Sequence, residues 1–173
     1  MSNENKVLQA FDPIASDDAL VLVLGTMPSV KSLAAEFYYA HPRNCFWPLV
    51  YSLYDIPLET EIEAKKRFLL VRRIALWDVL QSCERQGSGD ANIRNEIPND
   101  FNAFLEKHSH IKVIMFNGGP AFSLFKKHVL PTLAVVCKPS FVQLPSTSPA
   151  YAAKSFAQKR QTWWQAFEQA GLV

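Results

Sequence analysis

Short apolar runs alternate with amphipathic stretches along this chain, and the alternation predicts its elements. Residues 19–24, Ala-Leu-Val-Leu-Val-Leu, are apolar without a break and read as a buried strand. The run feeds straight into Gly-Thr-Met-Pro-Ser at 25–29, a tight loop. Residues 44–54 read as a helix, with Phe46, Leu49, Val50 and Leu53 near helical spacing, and residues 61–73 as a second helix. Residues 74–80 are mostly apolar and predict a strand running into a loop. Residues 84–97 are polar and rich in Gly, Ser and Asn, which predicts a long loop of the functional kind.

The second half repeats the alternation. Residues 98–108 predict a helix with Pro98 near its first turn. Residues 111–116 predict a strand closed by Asn-Gly-Gly-Pro at 117–120, and residues 121–130 a helix. Residues 133–137 and 141–144 are short apolar segments, of which at least the first is expected to be a strand. Leu-Pro-Ser-Thr-Ser-Pro-Ala at 144–150 is a loop. Residues 152–170 predict a last helix with Phe156, Trp163, Trp164 and Phe167 as its apolar positions. Residues 1–18 read as a loosely structured lead-in. Strands alternating with helices predict an α/β fold, a three-layer α/β/α sandwich on a short, mainly parallel central sheet.

Composition narrows the class. A chain of 173 residues with 49% hydrophobic and 20% charged residues is expected to form one domain over 1–173 with a real core. No apolar run approaches the roughly 20 residues that span a membrane. The first six residues are polar, unlike a signal peptide. The expected place is therefore the cytoplasm beside the nucleoid, or the nucleus of a nucleated cell, and the expected state a monomer. Cys45, Cys83 and Cys137 are widely spaced and form no CxxC pair, and the His residues are not grouped. No metal and no cofactor are expected. The net charge of +2 is neutral on the question of nucleic acid.

Three loops follow the strands: residues 25–47, 117–120 and 144–151. In a parallel sheet such strand ends share one edge, so these loops are expected to meet in one cleft. They carry no nucleophile elbow and no Gly-rich phosphate loop. They offer amides (Asn44, Asn117), aromatic rings (Tyr38, Tyr39, Phe46) and small hydroxyls (Ser146, Thr147, Ser148) instead. Amides and stacked rings suit a planar, hydrogen-bonding ligand such as a nucleobase.

The same segments resemble motifs of the uracil-DNA glycosylase superfamily. Gly-Thr-Met-Pro-Ser at 25–29 resembles the first motif. Tyr-Ala-His-Pro-Arg-Asn-Cys-Phe-Trp at 39–47 resembles a run of the mismatch-specific uracil glycosylases. Leu-Pro-Ser-Thr-Ser-Pro at 144–149 points to the hypoxanthine-DNA glycosylase branch. The similarity spans about residues 20–170. It implies a monofunctional glycosylase that needs no metal or cofactor. Such an enzyme flips a deaminated base, hypoxanthine foremost, out of DNA, cleaves its N-glycosidic bond and leaves an abasic site.

The resemblance also implies residue roles. Met27 departs from the pattern, because many relatives carry Asp or Asn there to orient water, and a thioether does this poorly. Asn44 is then the candidate for catalysis, holding water by its carbonyl. The competing reading is a helix cap. Tyr39 is expected to stack on the flipped base, with Thr26, Met27 and Phe46 beside it, although helix packing also accounts for Phe46. Asn117 can read a base edge or simply form a turn. Ser146, Thr147 and Ser148 can bond phosphates, and Pro149, Ala150 and Tyr151 are the expected wedge into the minor groove, unless the segment is an ordinary Pro-rich turn. Lys154 is expected on the DNA backbone. Lys31, Arg43, Lys159 and Arg160 fit either a backbone contact or a solvated face. His41 reads as structural, Asp78 as structural or as acting near the site, and Ser88 and Asp90 as further members of the site. Two alternatives stand beside hypoxanthine excision: a mismatch-specific uracil glycosylase, and a nucleic-acid binder without chemistry.

Overall fold

The computed structural model describes residues 6–136 and 138–173; residues 1–5 and Cys137 lie outside the described residues. After β1 (Val7–Gln9), β2 (Val21–Gly25) opens the main sheet. All five β2 residues are buried, as expected for a central parallel strand covered on both faces. Helices α1 (Val30–Ala35), α2 (Phe46–Ser52) and α3 (Ile62–Val71) lead to β3 (Ile74–Asp78). Strands β4 (Leu80–Glu84) and β5 (Arg94–Pro98) follow, then α4 (Phe101–Lys107), β6 (Val113–Asn117), α5 (Gly119–His128), β7 (Ser140–Leu144) and α6 (Phe156–Gln169).

The main sheet has the order β3-β2-β6-β7 and is parallel throughout. Alternate residues of β2 enter opposite cores. Val21 and Val23 pack with residues of α2, α3 and α6 on one face. Leu22 and Leu24 pack with residues of α4 and α5 on the other. This is the expected three-layer sandwich. The register sets Gly25 beside Asp78 and Asn117 beside Leu144. Four strand ends therefore lie along one edge of the sheet, and that edge carries the site.

Several expectations are corrected, among them the one for Pro98, which ends β5 instead of opening α4. Residues 84–97 are not simply a loop: β4 and β5 pair antiparallel, and β1 adds to β4 as a second, three-stranded sheet. The edge strand β5 is largely exposed and interrupted by register shifts, so it has no apolar alternation to announce it. Residues 133–136 form no strand, and Cys137, the end of that expected segment, lies outside the described residues. The Asn102 side chain takes Thr132 O and Ala134 N–H at 2.9 and 2.8 Å, which meets this backbone's needs without a ladder. The second apolar segment is the strand, β7, paired with β6. The last helix starts at Phe156, behind a capping box of Ser155 and Gln158, and Phe156 itself is exposed.

Candidate functional site

The β2 end turns through Gly25, Thr26, Met27 and Pro28 into α1. These residues, with Tyr39, Asn44, Asp78, Ser88, Asp90, Asn117 and residues 146–148, line one recess of about 110 Å³. The three loops thus meet in a single place. The recess is far smaller than the several hundred Å³ that hold a drug-sized ligand, so it suits one small planar group. A wider groove of about 540 Å³ adjoins it and shares Asp90, Asn117, Ser146 and Ser148. Pro145, Ala150, Tyr151 and Lys154 line that groove.

The recess is built on a clamp. Asn117, the last residue of β6, donates from Nδ2 to Thr147 Oγ1 and accepts Thr147 N–H at Oδ1, both at 2.9 Å. Thr147 O in turn accepts Cys45 N–H at 3.1 Å, which ties the start of α2 to the same loop. Trp163 Nε1 holds Pro145 O at 2.9 Å. Gly118, at φ +101, lies where a Cβ would come within 3.0 Å of Ser146, so this turn requires glycine. The loop is therefore fixed in position before any ligand arrives.

Thr147 was expected on a phosphate, but it is fully buried and its hydroxyl belongs to Asn117. Asn117 was expected at a base edge; both ends of its amide hold Thr147, each keeping one further bonding position. Ser146 and Ser148 accept the N–H groups of Ser148 and Ala150, which leaves both hydroxyl protons to donate. Pro149 and Ala150 are exposed at the loop tip.

Asn44 Oδ1 accepts Phe46 N–H at 2.9 Å, an Asx turn leading into α2, while the side chain lines the recess. The cap position of α2 belongs to Cys45, without a side-chain cap bond, so Asn44 combines an Asx turn just before the helix with a site position. Tyr39 takes the left-handed conformation at φ +53, rare for a non-glycine residue. Its ring stacks on Phe46 with centroids 4.3 Å apart. Phe46 was expected to touch the base, but it is completely buried behind Tyr39 and does not line the recess. Met27 does line it and also packs into the core beneath.

The acidic floor was the part least visible beforehand. Asp78, for which both a structural role and one near the site were open, ends β3 inside the recess. It is 3% exposed, and its Oδ2 has no hydrogen-bond partner. Burial, and next the charge of Asp90, push its carboxyl from 3.8 up to about 7; Arg85 opposes them. Asp90 is raised as well, by burial first, against Arg85 and a 3.4 Å hydrogen bond from Thr26. The hydroxyl of Tyr39 is buried without a partner and pushed upward by burial and by Asp78, with Asn117 tempering the shift. Arg85 was not anticipated at all. Its guanidinium is buried and donates to Pro28 O and Gly87 O, so it fastens the β4–β5 turn to the β2 loop. Ser88 Oγ adds to this by accepting Val30 N–H at 2.9 Å.

The expected cations divide. Lys159 is buried and holds Tyr151 O at 2.8 Å, and Arg160 is bonded to Ser52. Lys31, Arg43 and Lys154 stay exposed. His41 accepts Arg43 N–H locally, as a structural residue would. Among the described residues, no cluster of three or more His, Cys, Asp or Glu side chains can hold a metal ion. No helix among them is long and apolar enough to cross a membrane.

The Asp78 environment has a measurable consequence for stability. The folded carboxyl keeps its proton up to about pH 7, whereas the unfolded one loses it near 3.8. The folded state therefore binds the extra proton between these values, and stability falls as pH rises through that window. Asp78→Asn is neutral throughout. It should raise the thermal midpoint more at pH 8 than at pH 5, by about 2–3 kcal/mol of unfolding free energy. An equal gain at both pH values in calorimetry would show that Asp78 is ionised in the fold.

Comparison with known proteins adds the lineage. Residues 13–170 match the model of the uracil DNA glycosylase superfamily. A hypoxanthine DNA glycosylase of Methanosarcina acetivorans is 32% identical over 161 residues, covering 92% of this chain and 97% of that protein. One of Methanosarcina barkeri is 34% identical over 115 residues, covering 64% and 70%. A solution NMR structure of a candidate uracil DNA glycosylase from Methanosarcina acetivorans superposes with a TM-score of 0.79 at 28% identity, covering 96% of this chain and 99% of that one. With this match over nearly the whole length, the chain belongs to the uracil DNA glycosylase superfamily.

Proposed function

We propose that the protein is a monofunctional DNA N-glycosylase that removes a deaminated base, hypoxanthine foremost, and leaves an abasic site. The observation that carries this reading is a base-sized recess opening into a wider groove, with Asn117, Ser146 and Ser148 shared by both. The groove takes the DNA strand and the recess takes the extruded base. The two relatives named as hypoxanthine DNA glycosylases support the choice of base.

Within this reading Asn44 holds the water. Its carbonyl oxygen has a second lone pair beyond the one used by Phe46 N–H. Tyr39, backed by Phe46, offers a ring to the base, a contact worth about 1–3 kcal/mol. Thr26 and Met27 complete the wall. Ser146, Ser148 and Lys154 hold backbone phosphates, and Pro149 with Ala150 meets the minor groove. The enzyme acts as one domain and as a monomer, in the compartment that holds the DNA, without metal or cofactor.

Duplex oligonucleotides bearing inosine, uracil or xanthine, incubated with the protein and then treated with alkali, test the reading directly. Strand cleavage at inosine above the other two is expected, undiminished by excess chelator. Preferred cleavage at uracil would favour the mismatch-specific alternative, and binding without cleavage the non-catalytic one. Chelator-sensitive cleavage restored by a particular metal would overturn the cofactor-free mechanism.

A further inference from the structure

We propose that Asp78 is the acid of the reaction, its protonated carboxyl donating a hydrogen bond and then its proton to the departing base. The inference rests on the glycosylase reading above and assigns the leaving-group half of its chemistry. Three observations place Asp78 in this role. It lines the recess, and its buried Oδ2 has no partner. A buried polar atom left unpaired is costly, and a hydrogen-bonding ligand in the recess would recover that cost. The backbone beside it is also cleared for its use: a Cβ on Gly25 would lie 2.6 Å from Asp78 Oδ1 and 2.7 Å from Tyr39 Oη. Two polar tips therefore converge over a bare Cα.

The surroundings favour the protonated form. Among the described residues the cation acting on Asp78 is Arg85, whose guanidinium hydrogen bonds go to the carbonyls of Gly87 and Pro28 rather than to Asp78. The other ionisable groups acting with it are Asp90, Tyr38 and Tyr39, an anion and two neutral phenols. Burial and Asp90 hold the carboxyl near pH 7, where a general acid works best at neutral pH.

The step balances. The C1′–N bond breaks with both electrons staying on the base. The proton of Asp78 passes to a ring nitrogen or exocyclic oxygen of the base, so that the base leaves neutral. Water at Asn44 adds its oxygen to C1′ and releases a proton, and the Asp78 carboxylate recovers one from solvent. Net hydrolysis results.

Single-turnover excision from inosine duplex across pH 5–9 tests the role. The wild-type rate should fall about tenfold per pH unit above an apparent pKa near 7. Asp78→Asn should lose roughly 10²–10⁴-fold and show no such descending limb. Asp90→Asn, which removes the neighbouring anion, should move the limb to lower pH. Folding of both variants is checked by their melting curves. An Asp78→Asn protein that keeps the wild-type limb, or its rate, overturns the assignment while leaving the glycosylase reading intact. A limb unmoved in Asp90→Asn overturns it also. A wild-type protein that excises none of inosine, uracil or xanthine overturns both.

Discussion

Asn44→Ala should lower single-turnover excision from an inosine duplex by about 10²-fold or more while leaving the affinity for that duplex nearly unchanged. The amide acts mainly on the transition state, and a loss of this size corresponds to roughly 3 kcal/mol. The same substitution also removes the Asx-turn acceptor for Phe46 N–H, a bond of about 1 kcal/mol, so the melting temperature should drop by a few degrees. Asn44→Ser separates the two effects. Serine keeps a turn acceptor on a shorter arm and should restore the melting temperature, but it leaves the water unsupported and the rate low. An Asn44→Ala protein with unchanged cleavage and a lowered melting temperature would reduce Asn44 to a turn residue.

Asn117→Ala should be the most destabilising substitution in the site. It leaves the buried hydroxyl and N–H of Thr147 without partners, at about 1–3 kcal/mol each. It also frees the loop that Cys45 grips through Thr147 O, so excision should fall along with stability. Thr147→Val removes only the hydroxyl half of the clamp and should cost less. The double variant should fall short of the sum, because the two residues form one unit. Denaturant unfolding of the three variants measures this. If Asn117→Ala instead melts normally and merely loses its discrimination between inosine and uracil, the amide reads the base and the clamp is incidental.

Phe46 and Asn117 show where a sequence reading of this site stops. Both sit in motifs whose chemistry suits a base, yet Phe46 turns inward beneath Tyr39, and Asn117 faces across the sheet edge to Thr147. Residue type and spacing say what a side chain can do. They do not say which of two available partners it meets. Asn44 was legible as either cap or site residue because the local sequence permits both; in the fold Cys45 holds the cap position, and Asn44 has an Asx-turn bond and a place in the recess.

The sequence by itself determined the layered α/β fold and the three loops of the site. A short, Val-rich apolar run closed by a Gly- and Pro-containing turn suits a strand covered on both faces, and parallel strands bring their carboxyl ends to one edge. It also determined the lineage, through the motifs at 25–29, 39–47 and 144–149. Only the tertiary structure decided the acidic floor. Asp78 follows Trp77 in an apolar strand and looks like any strand-end carboxylate. Its proton affinity comes from burial and from Asp90, twelve residues on, which the β4–β5 hairpin folds back into the recess. Arg85 anchors that hairpin through backbone carbonyls, and such bonds leave no mark in a sequence. Local pattern follows from solvent and backbone geometry, whereas a shifted pKa follows from distances between residues that only the closed fold sets.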